Sequence, residues 1–357
     1  GLSAPKVSSI LNDLMADGLV MDYGKIGSTG GRRSNVYGLA KESAFFIGVD
    51  VKQNHINIGI SDLQNNMIRL LEHQPYQLSN NEESLNELCD LIRTFITNVQ
   101  IPKDKILGIG INLSGRINYA TGYSYSFFHF NEEPLSKVME AALGIKVFLE
   151  NDSRAMAFGE FFSGSITEEK NALFLNLDYG LGMGIMINGQ IYYGKSGFAG
   201  EFGHMPFFNN EIICRCGKKG CLETEASGWA LERMFKEKLK EGSSTTITAE
   251  SEAIGPEDII TAANNHDTLA IELIAEIGEK LGRSIATLIN IFNPEVILIG
   301  GILATTGEYL QLPIKSAINK YSLSIGHADT QLKTSKLGEK TGVVGACLLV
   351  RNRLFAL

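Results

Sequence analysis

The sequence predicts an α/β protein in which two α/β units follow one another behind a small N-terminal helix-and-hairpin unit. Three observations carry this expectation. Phe45, Ile47, Val49 and Val51, then Ile56, Ile58 and Ile60, alternate with the period of half-buried strands. Ile274, Ile277, Leu281, Ile285, Leu288 and Phe292 instead repeat with helical spacing, in a stripe that Asn293-Pro294 terminates. With 357 residues, the chain is long enough for two or three hydrophobic cores.

Taken in order, Ser3 is placed to cap a helix with Pro5 in its first turn. Val7, Ile10, Leu11 and Leu14 then form the stripe of a helix with one buried face, which Gly18 ends. Residues 19–26 and 35–39 read as short strands joined by a basic, glycine-rich tip, Gly27 to Arg33. The hairpin from Phe45 opens the first α/β unit, followed by a helix near 84–99 and strands at 106–111 and 146–150. Strands at 172–177 and 184–187 open the second unit, and the glycines between Asp178 and Gly203 mark turns or ligand loops. The long helix leads into a strand at 296–299 and then Gly300-Gly301, an arrangement frequent at nucleotide-binding edges. No short-period repeat is present, although two α/β units in succession are compatible with a duplication.

Bulk composition excludes some functions. No apolar run approaches the ~20 residues a membrane helix needs, and no targeting signal is evident, so a cytoplasmic protein without membrane contact is expected. A net charge of -8 argues against coating nucleic acid nonspecifically, while leaving room for a small DNA-reading domain on an acidic body. The chain begins at Gly1 rather than methionine, so the native start is expected to be missing or processed.

Three of the five cysteines, Cys214, Cys216 and Cys221, crowd into eight residues, ten residues after His204. Three thiolates and one imidazole suffice to close a tetrahedral zinc site, and a site filled by four protein ligands is structural rather than catalytic. The competing reading is three buried cysteines and an unrelated histidine. Glu201 and Glu223 flank this loop; carboxylates held there suit bidentate bonds to sugar hydroxyls, with the free ring nitrogen of His204 joining them, or they are ordinary loop acids. Asp152, in Glu150-Asn151-Asp152-Ser153 after a strand, reads either as a general base toward a sugar hydroxyl or as the cap of a helix over 154–161.

Together these segments resemble the ROK (repressor, open reading frame, kinase) family. Leu177 to Gly189, then Gly197, Gly200-Glu201-Phe202-Gly203-His204 and Gly220-Cys221-Leu222-Glu223 are similar to its signature. Glu150-Asn151-Asp152 resembles the segment bearing the catalytic aspartate of its kinases, and Asn293-Pro294 to Gly301 its adenosine-side motif. The resemblance implies two actin-like (ribonuclease H-like) lobes, 43–155 with 338–357, and 156–337 carrying the zinc loop and an oligomerisation surface. It also implies sugar contacts at Gly115, Arg116, Asn151, Asp152, Glu201, His204 and Glu223, and Zn2+ held by His204, Cys214, Cys216 and Cys221. Phe128 falls where some relatives carry a small polar sugar contact, so the identity of the sugar does not carry over.

ROK kinases carry Asp-x-Gly-Gly-Thr on the first hairpin; here the segment is Asp50-Val51-Lys52-Gln53-Asn54. Long side chains replace the glycines that let backbone amides approach ATP phosphates, and the threonine hydroxyl is gone. Loss of kinase activity is therefore expected, with Asp152 a vestigial base.

The N-terminal residues 1–42 resemble the recognition helix and wing of a winged helix-turn-helix, whose preceding helix is expected to be missing from this sequence. Ser3, Lys6, Ser8 and Ser9 are candidates for the major groove, and Arg32 and Arg33 for phosphates or the minor groove. The expected function is that of the family's repressor branch, similar to N-acetylglucosamine and xylose repressors: a homodimer or homotetramer that binds operator DNA and a sugar effector between its lobes. The alternatives are an ATP-dependent kinase of a hexose or N-acetylhexosamine, and a constitutive DNA binder governed by a protein partner.

Overall fold

The computed structural model describes residues 2–25, 35–130, 132–166 and 168–355. Among these, two five-stranded sheets dominate, and both have the same strand order. The first runs Met67–Pro75, His55–Asp62, Phe45–Val51, Ile106–Leu113, Val147–Asn151, the first three antiparallel and the rest parallel. The second runs Gln190–Ile191, Leu181–Ile187, Ala172–Leu177, Val296–Gly300, Gln331–Thr334, with the same senses. Contacts divide the chain into one unit of Gly1–Asp152 with Gly342–Leu357 and a second of Ser153–Thr341.

Strand alternation sorts side chains between two faces. In the first sheet Phe45, Ile47, Val49 and Val51 join one core with Leu88, Ile92 and Phe95 of the helix Glu82–Asn98. The opposite face presents Phe46 beside Gly48, Gly59, Gly108 and Gly110, and there the helix Thr341–Phe355 lies directly on the sheet. A Cβ on Gly48 would stand 2.3 Å from the Val343 carbonyl, and one on Gly110 2.6 Å from that of Ala346. These glycines, costly in strands, serve close helix approach. In the second sheet Leu173, Leu175 and Leu177 face a core built on the helix Thr268–Phe292, while Ala172 and Phe174 pack with Met156 and Phe161 of the helix Asp152–Ser163.

The expected strands and the two long helices are present, with the helices beginning earlier, at Glu82 and Thr268. The helices Leu135–Leu143, Gly228–Lys240, Pro256–Asn264, Glu308–Tyr321 and Thr341–Phe355 went unread in the sequence. Thr341–Phe355 shows why: buried broadly around its circumference, it carries no single apolar stripe.

The N-terminal segment forms a helix, Ala4–Ala16, and an antiparallel pair, Val20–Lys25 with Asn35–Leu39. Two expectations there are corrected. Ser3 takes the N-cap position but its side chain makes no capping bond. The apolar stripe is not buried: Val7 and Ile10 are 41% and 37% exposed, and only Leu11, Leu14 and Met15 are half-covered, because among the described residues the helix packs against little beyond the strand that follows it. Gln64 Nε2 donates to Leu39 O and Tyr23 Oη, fastening the hairpin to the first unit. The tip with Arg32 and Arg33 lies outside the described residues.

Candidate functional site: a Cys3His cluster and two polar sets

In the second unit the strand Leu181–Ile187 is followed by a loop that returns over it. A Cβ on Gly203 would stand 2.2 Å from the Leu181 carbonyl, so glycine there is what lets His204 arrive. Beyond it the cysteine loop folds on itself through bridges pairing Ile213 with Lys219 and Pro206 with Cys221, and Gly217, at φ 83°, makes the turn. His204, Cys214, Cys216 and Cys221 thereby converge, with all four donor atoms within 4.8 Å of one another.

The spacing fits a metal. Ligands at ~2.3 Å (sulfur) and ~2.05 Å (nitrogen) in a tetrahedron stand about 3.8 Å apart for two sulfurs and about 3.6 Å for sulfur and nitrogen. Cys216 Sγ lies 3.6 Å from Cys221 Sγ, and Cys214 Sγ lies 3.5 Å from His204 Nδ1. These four residues can hold a metal ion. Burial pushes the Cys214 thiol well above its ordinary pKa, a penalty that a bound cation offsets by stabilising the thiolate.

With Nδ1 turned to the sulfurs, His204 Nε2 faces the other way, 3.9 Å from Glu201 Oε2, and Glu201 is exposed. Glu223 differs from an ordinary loop acid: it is buried, Oε2 accepts the Leu181 amide at 3.0 Å, and the Cys214 thiol approaches Oε1 at 3.7 Å. It thus joins the cysteine loop to the turn Asp178–Leu181. Arg215 stacks over Tyr179 of the same turn, 4.5 Å from the ring centre.

The first unit carries the other candidates at the ends of adjacent parallel strands, where ligands collect in such sheets. Ser114 Oγ donates to Asp152 Oδ2 at 2.8 Å, and Asn151 Nδ2 donates to Asp152 Oδ1 at 2.9 Å and to Gly115 O at 3.0 Å. Arg116 is exposed, with its amide bonded to Ser126 Oγ at 3.0 Å. Gly115 has φ 89°, and a Cβ there would meet Ser126 Oγ at 2.3 Å. Asp152 is the first residue of the helix Asp152–Ser163 rather than the cap of one starting at 154. The structure therefore gathers Gly115, Arg116, Asn151 and Asp152 in one unit, and Glu201, His204 and Glu223 around the cysteine loop of the other. Ser114 and Ser126 were missed; Ser114, beside Gly115 at a strand end, was open to discovery, whereas Ser126 acts only through the tertiary turn.

Phe128, considered as a lost polar contact, is 2% exposed in the first core, at φ 57° with its amide bonded to Asn80 Oδ1. The hairpin tip after Asp50 is committed to its own chain. Lys52 Nζ lies 3.5 Å from Asp50 Oδ2, Gln53 Nε2 donates to Leu78 O, and the Leu78 amide donates to Gln53 O.

Comparison with known proteins bears on these arrangements. A family model described as the ROK family matches residues 46–353. The xylose repressor of Caldicellulosiruptor bescii is 31% identical over 355 residues, covering 98% of this chain and 88% of that protein. The DNA-binding transcriptional dual regulator NagC of Escherichia coli K12 is 29% identical, covering 99% and 86%. Among solved structures, a ROK family transcriptional regulator homologous to the E. coli MLC protein aligns with a TM-score of 0.83 at 27% identity, covering 99% of this chain and 89% of that one. A ROK family glucokinase from Streptomyces griseus, solved with glucose and AMPPNP, aligns with a TM-score of 0.74 at 26% identity, covering 87% and 100%. The two sheets of like order are the two actin-like lobes of this fold.

Proposed function

The chain belongs to the ROK family, and on that premise we propose that it is a sugar-responsive transcriptional repressor. The observation that carries this reading is coverage: repressor relatives align over 98–99% of this chain, N-terminal segment included, whereas the glucokinase aligns over 87%. Operator DNA is bound through that segment, with Ser3, Lys6, Ser8 and Ser9 of the helix and Arg32 and Arg33 as the contacting side chains. Half-site recognition calls for a homodimer or homotetramer. Binding operator DNA places its action in the cytoplasm. Among the described residues no helix is long and apolar enough to cross a membrane.

The effector is a sugar whose hydroxyls accept from Arg116, exchange hydrogen bonds with Asn151 and His204, and donate to the carboxylates of Asp152, Glu201 and Glu223, with Gly115 beside the first set. Carboxylates and amides fixed by neighbouring bonds suit vicinal hydroxyls because they lose little entropy on binding. Zn2+ at His204, Cys214, Cys216 and Cys221 is structural: with four protein donors it leaves no open position for substrate, and it fixes the loop from which Glu201 and Glu223 project.

Phosphoryl transfer has been lost. Gln53 and Lys52 spend their polar groups within the chain at the tip where the kinases present glycine amides to phosphate. To exert control, the sugar binds one state of the protein more tightly than the other, by about 5.5 kcal/mol for a near-complete switch. A coupled ATP-consumption assay over pentoses, hexoses and N-acetyl sugars tests the enzyme alternative. No turnover is expected; sugar-dependent turnover abolished by Asp152→Asn makes the protein a kinase.

A further inference from the structure

We propose that Cys216 and Cys221 form a peroxide-oxidisable thiol pair whose closure into a disulfide opens the Cys3His cluster and releases its metal. The inference rests on the metal reading of the cluster, and is independent of the repressor reading.

Accessibility singles out the attacking sulfur. Cys214 and Cys221 are each 1% exposed, whereas Cys216 is exposed at the outer turn of the loop. Proximity singles out its partner. Cys216 Sγ lies 3.6 Å from Cys221 Sγ, whereas Cys214 Sγ, also within 4.8 Å of both, is turned to His204 Nδ1 at 3.5 Å and Glu223 Oε1 at 3.7 Å. The intervening turn can yield: a Cβ on Gly217 would meet nothing within 4 Å, so that side of the loop stands in open space. Closing the pair requires the sulfurs to approach from 3.6 Å to the ~2.05 Å of a disulfide.

The chemistry balances with hydrogen peroxide as the oxidant. The Cys216 thiolate attacks one peroxide oxygen; the O–O bond breaks, the sulfur becomes a sulfenic acid and hydroxide leaves as water after protonation. The Cys221 thiolate then attacks the Cys216 sulfur, the S–S bond forms, and the second hydroxide leaves as water. Two thiolates lose two electrons, one peroxide gains them, and two protons are taken up. A disulfide sulfur is no longer a thiolate ligand, so His204 and Cys214 remain as two donors where four held the ion, too few for a closed zinc site. Cys89 and Cys347, 3% and 2% exposed, serve as internal controls.

The test uses the full chain, loaded with zinc, metal content measured first, then treated with hydrogen peroxide and quenched with catalase. Free thiols are expected to fall from five to three, one zinc to appear per protein, and peptide mapping to join residue 216 to residue 221 with a loss of two hydrogens. Dithiothreitol with added zinc reverses all three. A disulfide containing Cys214, cysteines oxidised to sulfinic acid with no disulfide, or zinc retained after the thiols are spent would each overturn the proposal. If the starting protein binds no zinc, the metal reading fails separately, and mapping of the oxidised apo protein still decides whether these two thiols pair.

Discussion

Gly115 and Glu223 show how single residues set the candidate binding groups. Gly115→Ala brings a Cβ to 2.3 Å from Ser126 Oγ at a backbone φ of 89°. Left-handed strain and the clash together are expected to cost about 1–3 kcal/mol, measured by denaturant unfolding. Adding Ser126→Ala should recover only part of the clash, because the Cβ of residue 126 stays 2.5 Å from the new one, and none of the backbone cost, so full recovery would contradict the account. Glu223→Ala leaves the buried Leu181 amide without its acceptor and is expected to cost about 1–3 kcal/mol, while Glu223→Gln, which keeps an acceptor oxygen, should unfold close to the parent. The cluster of His204 with three cysteines was legible because all four lie within 18 residues, 204–221, and such a set of donors is rare. The inward role of Glu223 was not, because it depends on a turn more than forty residues earlier reaching the cysteine loop.

At the scale of elements, the helix Thr268–Phe292 is capped by Asp267, whose carboxylate accepts from Ala270 N, Thr246 N and the hydroxyls of Thr245 and Thr246. Burial works to raise its pKa, but these bonds outweigh it and hold the carboxyl below its ordinary 3.8. A depressed folded value means the stabilisation is complete above about 3.8 and is lost as pH falls through the lower, folded value. Asp267→Ala should cost about 1–2 kcal/mol at neutral pH and flatten the acid limb of a stability-versus-pH curve; an unchanged limb would contradict this.

The same helix packs on Glu308–Tyr321 through Gly278 and Gly282, where a Cβ on Gly282 would stand 2.6 Å from the Ile314 carbonyl. Alanine gains about 1 kcal/mol of helix propensity, but overpacking against backbone costs about 1–3 kcal/mol. Gly282→Ala is therefore expected to destabilise, and a rise in melting temperature would refute the close packing. Periodicity revealed this helix because one face is buried; it could not reveal that its small residues were spacers. The helix Ala4–Ala16 is the converse case, a clear apolar stripe that stays largely exposed among the described residues because burial needs a partner as well as a pattern.

For the whole molecule, the duplicated strand order was foreshadowed by two α/β units in succession, yet the shared register of antiparallel and parallel strands appears only in the sheets themselves. If zinc binds only the folded cluster, metal and fold are coupled: chelation should lower the melting temperature, and re-addition should restore it. A melting temperature indifferent to a strong chelator would remove the structural metal. The central claim is that a sugar controls DNA binding. Its most direct test is the affinity of the full-length protein for an operator selected from random duplexes, measured with and without each sugar of the pentose, hexose and N-acetyl panel. The account predicts that one sugar class changes the operator Kd by at least about tenfold, roughly 1.4 kcal/mol of coupling, and that Asp152→Asn abolishes the change while leaving sugar-free DNA binding intact. An operator affinity that no sugar alters would contradict it.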